Sequence, residues 1–113
     1  MPSPLKVLSQ SIKSSLPTTK IDRVILFGSA AEGDLNQVGD IDVAILLKKT
    51  PDPETVKGVV QERADELSGD FFGTVGKRIE PLVFSKQDWE QIRNKPLGIS
   101  ISKGKELYPH ADL

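Results

Sequence analysis

Two aspartates, Asp40 and Asp42, stand one residue apart at the start of the apolar run DIDVAILL. Because successive side chains of a β-strand point to opposite faces, both carboxylates should lie on one face, where they would repel each other. A divalent cation would relieve that repulsion, since Mg²⁺ prefers oxygen ligands and is commonly held by one or two carboxylates plus substrate phosphates. The alternative is that both aspartates lie in the preceding loop, solvated and uncoupled. An isolated Asp-x-Asp does not decide between the two.

A third carboxylate, Glu80, interrupts the apolar run of KRIEPLVFS. A glutamate in such a strand is rarely buried without a partner. If this strand lies beside DIDVAILL, Glu80 completes a cluster of three carboxylates, which can hold two metal ions roughly 4 Å apart for in-line phosphoryl or nucleotidyl displacement. The alternative is an edge-strand glutamate that faces water, which the neighbouring Pro81 favours.

A Gly-Ser turn, Gly28 and Ser29, follows the apolar run RVILF. A strand that turns through glycine into the start of a helix presents free backbone N–H groups to an anion, and Ser29 adds a hydroxyl donor. The alternative is an ordinary turn glycine followed by an ordinary N-cap serine. The chain contains neither the P-loop pattern nor G-x-G-x-x-G, so those two phosphate-binding fingerprints do not apply.

The elements that must position these residues follow from the apolar pattern in the first half of the chain. Ser3 as N-cap and Pro4 as first helical residue predict a helix that Pro17 ends. RVILFGS and DIDVAILL then read as short, nearly all-apolar strands of the kind buried on both faces. The Gly-Ser turn and the paired aspartates therefore belong to the ends of two strands.

The second half begins with a helix that starts at residues 52–54 and that we expect to end at Gly69. The next segment, FFGTVGK, is predicted to be a turn-rich connection. KRIEPLVFS is the third strand, at an edge or locally bulged because Pro81 removes one ladder donor.

Two features near the C-terminus complete the prediction of secondary structure. Ser85 and Asp88 form a capping-box pattern before a short helix. PLGISISKGKELYP fits both a strand and one face of a helix, and we expect a helix. The resulting order is helix, strand, short helical turn, strand, helix, strand, helix, which predicts a small α/β sandwich.

The composition excludes several kinds of chemistry. The chain has 113 residues, which is near the commonest length of a protein domain, and we expect residues 1–113 to form a single domain. It contains no cysteine, and His110 is its one histidine, so cysteine nucleophiles, thiolate metal sites, histidine triads and multi-histidine zinc sites are excluded. The net charge of -1 argues against a dominant nucleic-acid-binding face. Without an apolar run of roughly 20 residues or a secretory-signal pattern, we expect a cytoplasmic location.

Taken together, these motifs are more specific than each is alone. GSAAEGDLNQVGDID resembles the signature of the polymerase-β-like nucleotidyltransferase superfamily: Gly-Ser, a twelve-residue step from that glycine to the first aspartate, then Asp-x-Asp. The pair Gly33-Asp34 stands where minimal nucleotidyltransferases carry Gly-Glu or Gly-Asp. Glu80 falls where the third metal carboxylate of the family is expected. The tail PLGISISKGKELY is similar to the terminal segment of the same small proteins.

The resemblance implies the nucleotidyltransferase fold, a mixed sheet flanked by helices, with two Mg²⁺ ions as cofactors and an NTP such as ATP as substrate. Carried over residue by residue, it implies that Gly28 and Ser29 hold the triphosphate. Asp40 and Asp42 would bind both metals. Glu80 would bind the catalytic metal and serve as base for the acceptor hydroxyl. Catalysis would then consist of positioning and of neutralising charge on the phosphates.

The chain also departs from the family pattern. Many members carry an aromatic or basic residue at the position of Ala30 and a basic one at Glu32, so the turn lacks cations that other members use. Lys77 and Arg78, which precede Glu80, either supply the missing charge or are solvated residues at the start of a strand.

The function implied by the resemblance is transfer of NMP, in particular AMP from ATP, to an acceptor hydroxyl. A chain of 113 residues has little surface left for a large acceptor, so a partner protein or a second copy should complete the site. Minimal nucleotidyltransferases often pair with a small helical HEPN protein, sometimes as antitoxin to that toxin. One alternative is a catalytically weak or inactive binding module that neutralises or scaffolds such a partner. A small-molecule nucleotidyltransferase is a further alternative, which the missing acceptor domain disfavours.

Overall fold

The computed structural model describes residues 3–33 and 39–110 of the chain. Asp34, the acid of the Gly33-Asp34 pair, lies outside these ranges. The described residues form five α-helices, a short 3₁₀ helix and four strands: α1 Pro4–Ser15, the 3₁₀ helix Thr18–Lys20, β1 Ile21–Phe27, α2 Ser29–Glu32, β2 Asp40–Leu47, α3 Pro53–Val75, β3 Arg78–Phe84, α4 Lys86–Ile92, α5 Pro96–Ser102 and β4 Lys105–Tyr108. No helix within these ranges combines the length and the apolarity needed to cross a membrane.

The four strands form one mixed sheet in the order β3-β2-β1-β4. β2 runs antiparallel to β1 and parallel to β3, while β4 runs antiparallel to β1. The carboxyl end of β1 therefore meets the amino ends of β2 and β3 at the same end of the sheet. This confirms the predicted mixed α/β architecture, with helices on both sides of the sheet.

The helices cover the sheet in two layers. One face packs against α1 and α3, where Leu8, Ile12 and Val60 are buried with strand residues such as Ile41 and Ile45. The other face carries a smaller cluster that α4 and α5 cover, and the residues buried in it are Ile25, Phe27, Ala44, Leu46 and Ile101. Because side chains alternate along a strand, Asp40 and Asp42 share the second face with Ala44 and Leu46.

Local signals in the sequence correctly predicted several boundaries. The Ser3 side chain accepts a hydrogen bond from the Lys6 N–H, and α1 starts at Pro4. Ser85 and Asp88 form a complete capping box at the start of α4. β3 pairs with β2 alone and is an edge strand, as Pro81 predicted.

The prediction that the second helix ends at Gly69 was wrong, as was the turn assigned to FFGTVGK. Helix α3 continues to Val75 and is closed by Gly76, whose φ of 79° is left-handed. Phe71 is buried in the core at 3% exposure. Burying a phenylalanine contributes about 1.5–3 kcal/mol, which exceeds the roughly 1 kcal/mol that a glycine costs inside a helix.

Only the first part of the tail PLGISISKGKELYP forms the helix that we expected. Pro96–Ser102 forms α5, but Lys105–Tyr108 forms the fourth strand, which was not predicted. This strand pairs with β1 far away in the sequence and buries Leu107 completely. Gly104 allows the chain to pass close to β1, because a Cβ there would overlap the carbonyl oxygen of Leu26.

Candidate nucleotidyltransferase site

The two aspartates lie in β2 itself, so the alternative that both are in the preceding loop is wrong. β2 begins at Asp40, and Ile41 between the aspartates is fully buried on the opposite face. Asp42 is half-buried and Asp40 is exposed. The two carboxylates therefore project from one face at the end of the sheet, as the alternation of the strand predicts.

Glu80 lies beside them on the neighbouring strand. In the parallel pairing of β2 with β3, Asp42 is directly opposite Glu80, and Asp40 is directly opposite Arg78. Neighbouring strands are about 4.8 Å apart, so these four side chains start from adjacent positions on one face. The expectation that the strand of Glu80 adjoins DIDVAILL is confirmed.

The side chains of the three acids do not converge as they stand. Within residues 3–33 and 39–110, no group of three or more Asp, Glu, His or Cys side chains is close enough to hold a metal ion. Glu80 is exposed on an edge strand, which also agrees with the alternative of a glutamate facing water. The donor types nevertheless suit Mg²⁺, which takes carboxylate oxygens as ligands.

The Gly-Ser turn is in contact with the acidic strand. Gly28 has φ 73° and ψ -152°, a conformation that is essentially restricted to glycine. A Cβ added to Gly28 would lie 2.8 Å from Oδ2 of Asp42. The turn therefore lies directly against one of the candidate metal-binding carboxylates, and this contact requires glycine.

Ser29 is the first residue of α2 rather than its N-cap, the position that Gly28 occupies. Its side chain is exposed. Within the described part of the chain the Ser29 hydroxyl makes no hydrogen bond. The hydroxyl is thus available to a ligand at the end of the sheet.

The two departures from the family pattern have different structural meanings. Ala30 is 2% exposed and packs into the core between the sheet, α1 and α3, so a longer side chain would have to displace core residues. Glu32 is exposed and places a negative charge in the turn. The sequence alone did not distinguish the buried position from the exposed one.

Helix α4, which covers the same face as the acids, is attached to α3 by an ion pair. Nζ of Lys57 donates to Oδ2 of Asp88 over 2.8 Å, and the Ser85 N–H donates to the same oxygen over 3.0 Å. The hydrogen bond from Lys57, followed by that from Ser85, lowers the pKa of the Asp88 carboxyl, and the same bond to Asp88 raises the pKa of Lys57. The sequence showed the capping box, but it did not show Lys57 as its partner.

Comparisons with known proteins identify the family of this chain. The family model "Polymerase beta, Nucleotidyltransferase" matches residues 10–96, which is more than half of the chain. "Putative protein adenylyltransferase MJ0141" of Methanocaldococcus jannaschii is 53% identical over 38 residues, or 34% of this chain. The matched segment spans only 38% of that relative's length.

Solved structures of similar fold extend the comparison to nearly the whole chain. The crystal structure of the toxin-antitoxin MntA-HpeT mutant D39ED41E has a TM-score of 0.54 at 17% identity, covering 95% of this chain and 73% of the other. A toxin-antitoxin crystal structure with AMP-PNP has a TM-score of 0.53 at 20% identity, covering 92% and 72%. The tri-AMPylated Shewanella oneidensis HEPN toxin in complex with MNT antitoxin gives 0.50 at 18% identity, covering 93% and 69%. These structural likenesses concern the fold alone. The family match over residues 10–96 shows that this chain belongs to the polymerase β nucleotidyltransferase family.

Proposed function

We propose that this chain transfers AMP from ATP to a hydroxyl group of an acceptor protein. The observation that carries the proposal is the register of β2 and β3, which sets Glu80 directly opposite Asp42 while Gly28 lies against the Asp42 carboxylate. The residues on which the proposal rests thus lie at one end of the sheet, on β2, on β3 and in the turn after β1. The family match and the name of the adenylyltransferase relative support the same reaction.

In this proposal Asp40, Asp42 and Glu80 hold two Mg²⁺ ions. Glu80 is exposed and its side chain is long, so rotation about its side-chain bonds can bring its carboxylate towards Asp42 without moving a strand. Bound Mg²⁺ would neutralise charge on the phosphates and make the α-phosphorus more electrophilic. Gly28 and Ser29 would bind the triphosphate through backbone N–H groups and the free hydroxyl.

The chemical step that we propose is an in-line displacement. The acceptor oxygen bonds to the α-phosphorus of ATP, and the bond from that phosphorus to the bridging oxygen breaks, which releases pyrophosphate. The proton of the acceptor hydroxyl passes to the Glu80 carboxylate. No covalent bond to this chain is needed, so its contribution is to position the reactants and stabilise their charges.

The acceptor that we propose is a small helical protein of the HEPN type. The support is the name of one neighbour of similar fold, in which an MNT antitoxin is in complex with a tri-AMPylated HEPN toxin. We propose further that residues 1–113 work as one domain in the cytoplasm, and that the partner or a second copy of the chain completes the acceptor side of the site.

The experiment is a transfer assay with a matched control. The chain is incubated with α-labelled ATP, Mg²⁺ and a candidate HEPN-type partner, as wild type and as Asp40→Asn, Asp42→Asn and Asp22→Asn. Asp22 is an exposed aspartate at the other end of β1. We expect label on the partner with wild type and Asp22→Asn, and loss of at least 100-fold with the other two variants, since both remove a carboxylate from the proposed metal site.

A second candidate function is a binding module that scaffolds or neutralises its partner without catalysis. The observations that favour it are the three acids, which do not converge among the described residues, and the exposed Glu32 in the turn. In the same assay this function would give a stable complex with the partner and no label transfer, whatever the variant. That result would refute the proposed transfer reaction.

A further inference from the structure

Arg78 occupies a particular position at the end of the sheet. It is the first residue of β3, directly opposite Asp40 and two residues before Glu80. Its backbone N–H donates to the carbonyl of Gly39 over 3.2 Å, which attaches the start of β3 to the residue before β2. The side chain is therefore presented from a fixed backbone on the same face as the three acids.

The other three arginines of the chain all have side-chain partners. Arg23 is 2.7 Å from the Glu106 carboxylate, Arg93 is 3.3 Å from that of Glu90, and Arg63 donates to the Ser15 carbonyl over 3.4 Å. Arg78 is exposed, and within residues 3–33 and 39–110 its guanidinium makes no ion pair or hydrogen bond. Arg78 lies directly opposite Asp40 in the sheet, yet among the described residues neither Asp40, Asp42 nor Glu80 accepts a hydrogen bond from its guanidinium.

The turn on the other side of β2 provides no positive charge. Helix α2 consists of Ser29–Glu32, and Glu32 is its one ionisable side chain. A polyanion bound at the Gly-Ser turn can therefore accept hydrogen bonds from backbone N–H groups and a hydroxyl there, but it contacts no cationic side chain of α2. β3 is two strands away from β1, or about 10 Å, so only a ligand with several anionic groups in a row can contact both the turn and Arg78.

From this arrangement we infer that Arg78 binds the polyphosphate chain of the nucleotide, at the end away from the Gly-Ser turn. The inference rests on the proposed function, because it assigns a substrate contact to the same site. A guanidinium suits this contact because its planar fork of N–H donors matches two phosphate oxygens at once. Arg78 thus supplies the cationic side chain that α2 lacks.

The test measures binding rather than transfer, so that it stands apart from the activity of the site. Dissociation constants for ATP, inorganic tripolyphosphate and adenosine are measured by calorimetry in Mg²⁺ with the full chain, as wild type, Arg78→Ala, Arg78→Lys and the control Arg93→Ala. We expect Arg78→Ala to weaken ATP and tripolyphosphate about 10- to 100-fold, as for loss of charge-assisted hydrogen bonds, and to leave adenosine, which has no phosphate, within about twofold. Arg78→Lys should fall between wild type and alanine, because the charge remains while the two-pronged contact is lost.

The control removes another exposed guanidinium, whose ion pair lies within α4 and the turn after it, so Arg93→Ala should bind all three ligands as wild type does. Thermal unfolding of each variant confirms that it is folded. The inference is overturned if Arg78→Ala binds tripolyphosphate as tightly as wild type, or if wild type does not bind it. It is also overturned if Arg78→Ala raises only the KM for the acceptor, which would assign the guanidinium to the acceptor. If AMP transfer is absent but Arg78→Ala still weakens tripolyphosphate, the proposed reaction fails and this contact stands.

Discussion

Replacing Gly28 with alanine should impair the site and the fold through two separable effects. The first is conformational, because φ 73° with ψ -152° belongs to a region that only glycine occupies readily. The second is steric, because the new Cβ would lie 2.8 Å from Oδ2 of Asp42, closer than a carbon and an oxygen normally approach. Gly28→Ala therefore tests whether the turn and the acidic strand form one unit.

The two effects differ in what they cost. Holding a non-glycine residue in such a region costs about 1–3 kcal/mol, so the free energy of unfolding should fall by that amount. The steric contact involves the end of a side chain, which can rotate away at little cost in stability. That rotation moves the Asp42 carboxylate, however, and a misplacement of about 1 Å in an active site can reduce the rate about 100-fold.

The assay combines urea unfolding with AMP transfer, and Gly39→Ala is the control. Gly39 is exposed just before β2, and a Cβ there would have no atom of the other described residues, apart from its chain neighbours, within 4 Å. We expect Gly39→Ala to change the free energy of unfolding by less than about 0.5 kcal/mol. Combining Gly28→Ala with Asp42→Ala removes the steric contact and leaves the conformational cost, so in the Asp42→Ala background the cost should remain at about 1–3 kcal/mol.

Two results would refute this reasoning. If Gly28→Ala is as stable as wild type, the turn does not require the conformation described here. If Asp42→Ala abolishes the stability cost of Gly28→Ala, that cost comes from the carboxylate contact and not from the backbone.

Three further predictions concern the framework around the site, all measured by urea unfolding. Gly69→Ala should stabilise the chain by about 0.5–1 kcal/mol, because Gly69 lies inside α3 with open space where a Cβ would be; a loss of stability would contradict this. Gly98→Ala should destabilise by more than about 2 kcal/mol, because its Cβ would overlap the Ile92 carbonyl; unchanged stability would show that α4 and α5 separate easily. Asp88→Ala should cost about 1 kcal/mol at pH 7. The pKa of the Asp88 carboxyl is lowered in the folded chain, so the carboxylate adds to the free energy of unfolding above the ordinary pKa of 3.8, and this stabilisation is lost as the pH falls below that value. If Asp88→Ala is still less stable than wild type at pH 2, the stabilisation does not come from the ionised carboxylate.

Local signals were enough to predict the elements that carry most of the site. The mostly apolar segments RVILF and DIDVAILL indicated β1 and β2, and neighbouring residues indicated the helix caps at Ser3 and Ser85. α3 and β4 were predicted incorrectly because their limits depend on distant residues. Phe71 extends α3 by packing into the core, and Leu107 is buried only because β4 pairs with β1.

The same distinction applies within the site. The sequence indicated Asp40, Asp42 and the Gly-Ser turn through their combined resemblance to the family signature, whereas each motif alone left two interpretations open. It gave no means of seeing that Gly28 lies against Asp42, or that the buried position in the turn is Ala30. Both facts depend on how α2 packs against β1 and β2, and no local pattern in the sequence indicates that packing.

The edge position of β3 changes how Glu80 should be interpreted. The sequence leaves two interpretations of Glu80 open: an edge-strand glutamate that faces water, or the third carboxylate of a metal site. They are alternatives for a central strand, where a charged group must be paired to offset its desolvation. On an edge strand Glu80 keeps its hydration, since it is exposed, and it still lies directly opposite Asp42. In the proposed function its carboxylate therefore needs no protein partner and turns towards the aspartates to bind a cation. Under that proposal the two interpretations describe one residue before and after cation binding, and the exposure of Glu80 is compatible with the proposed role.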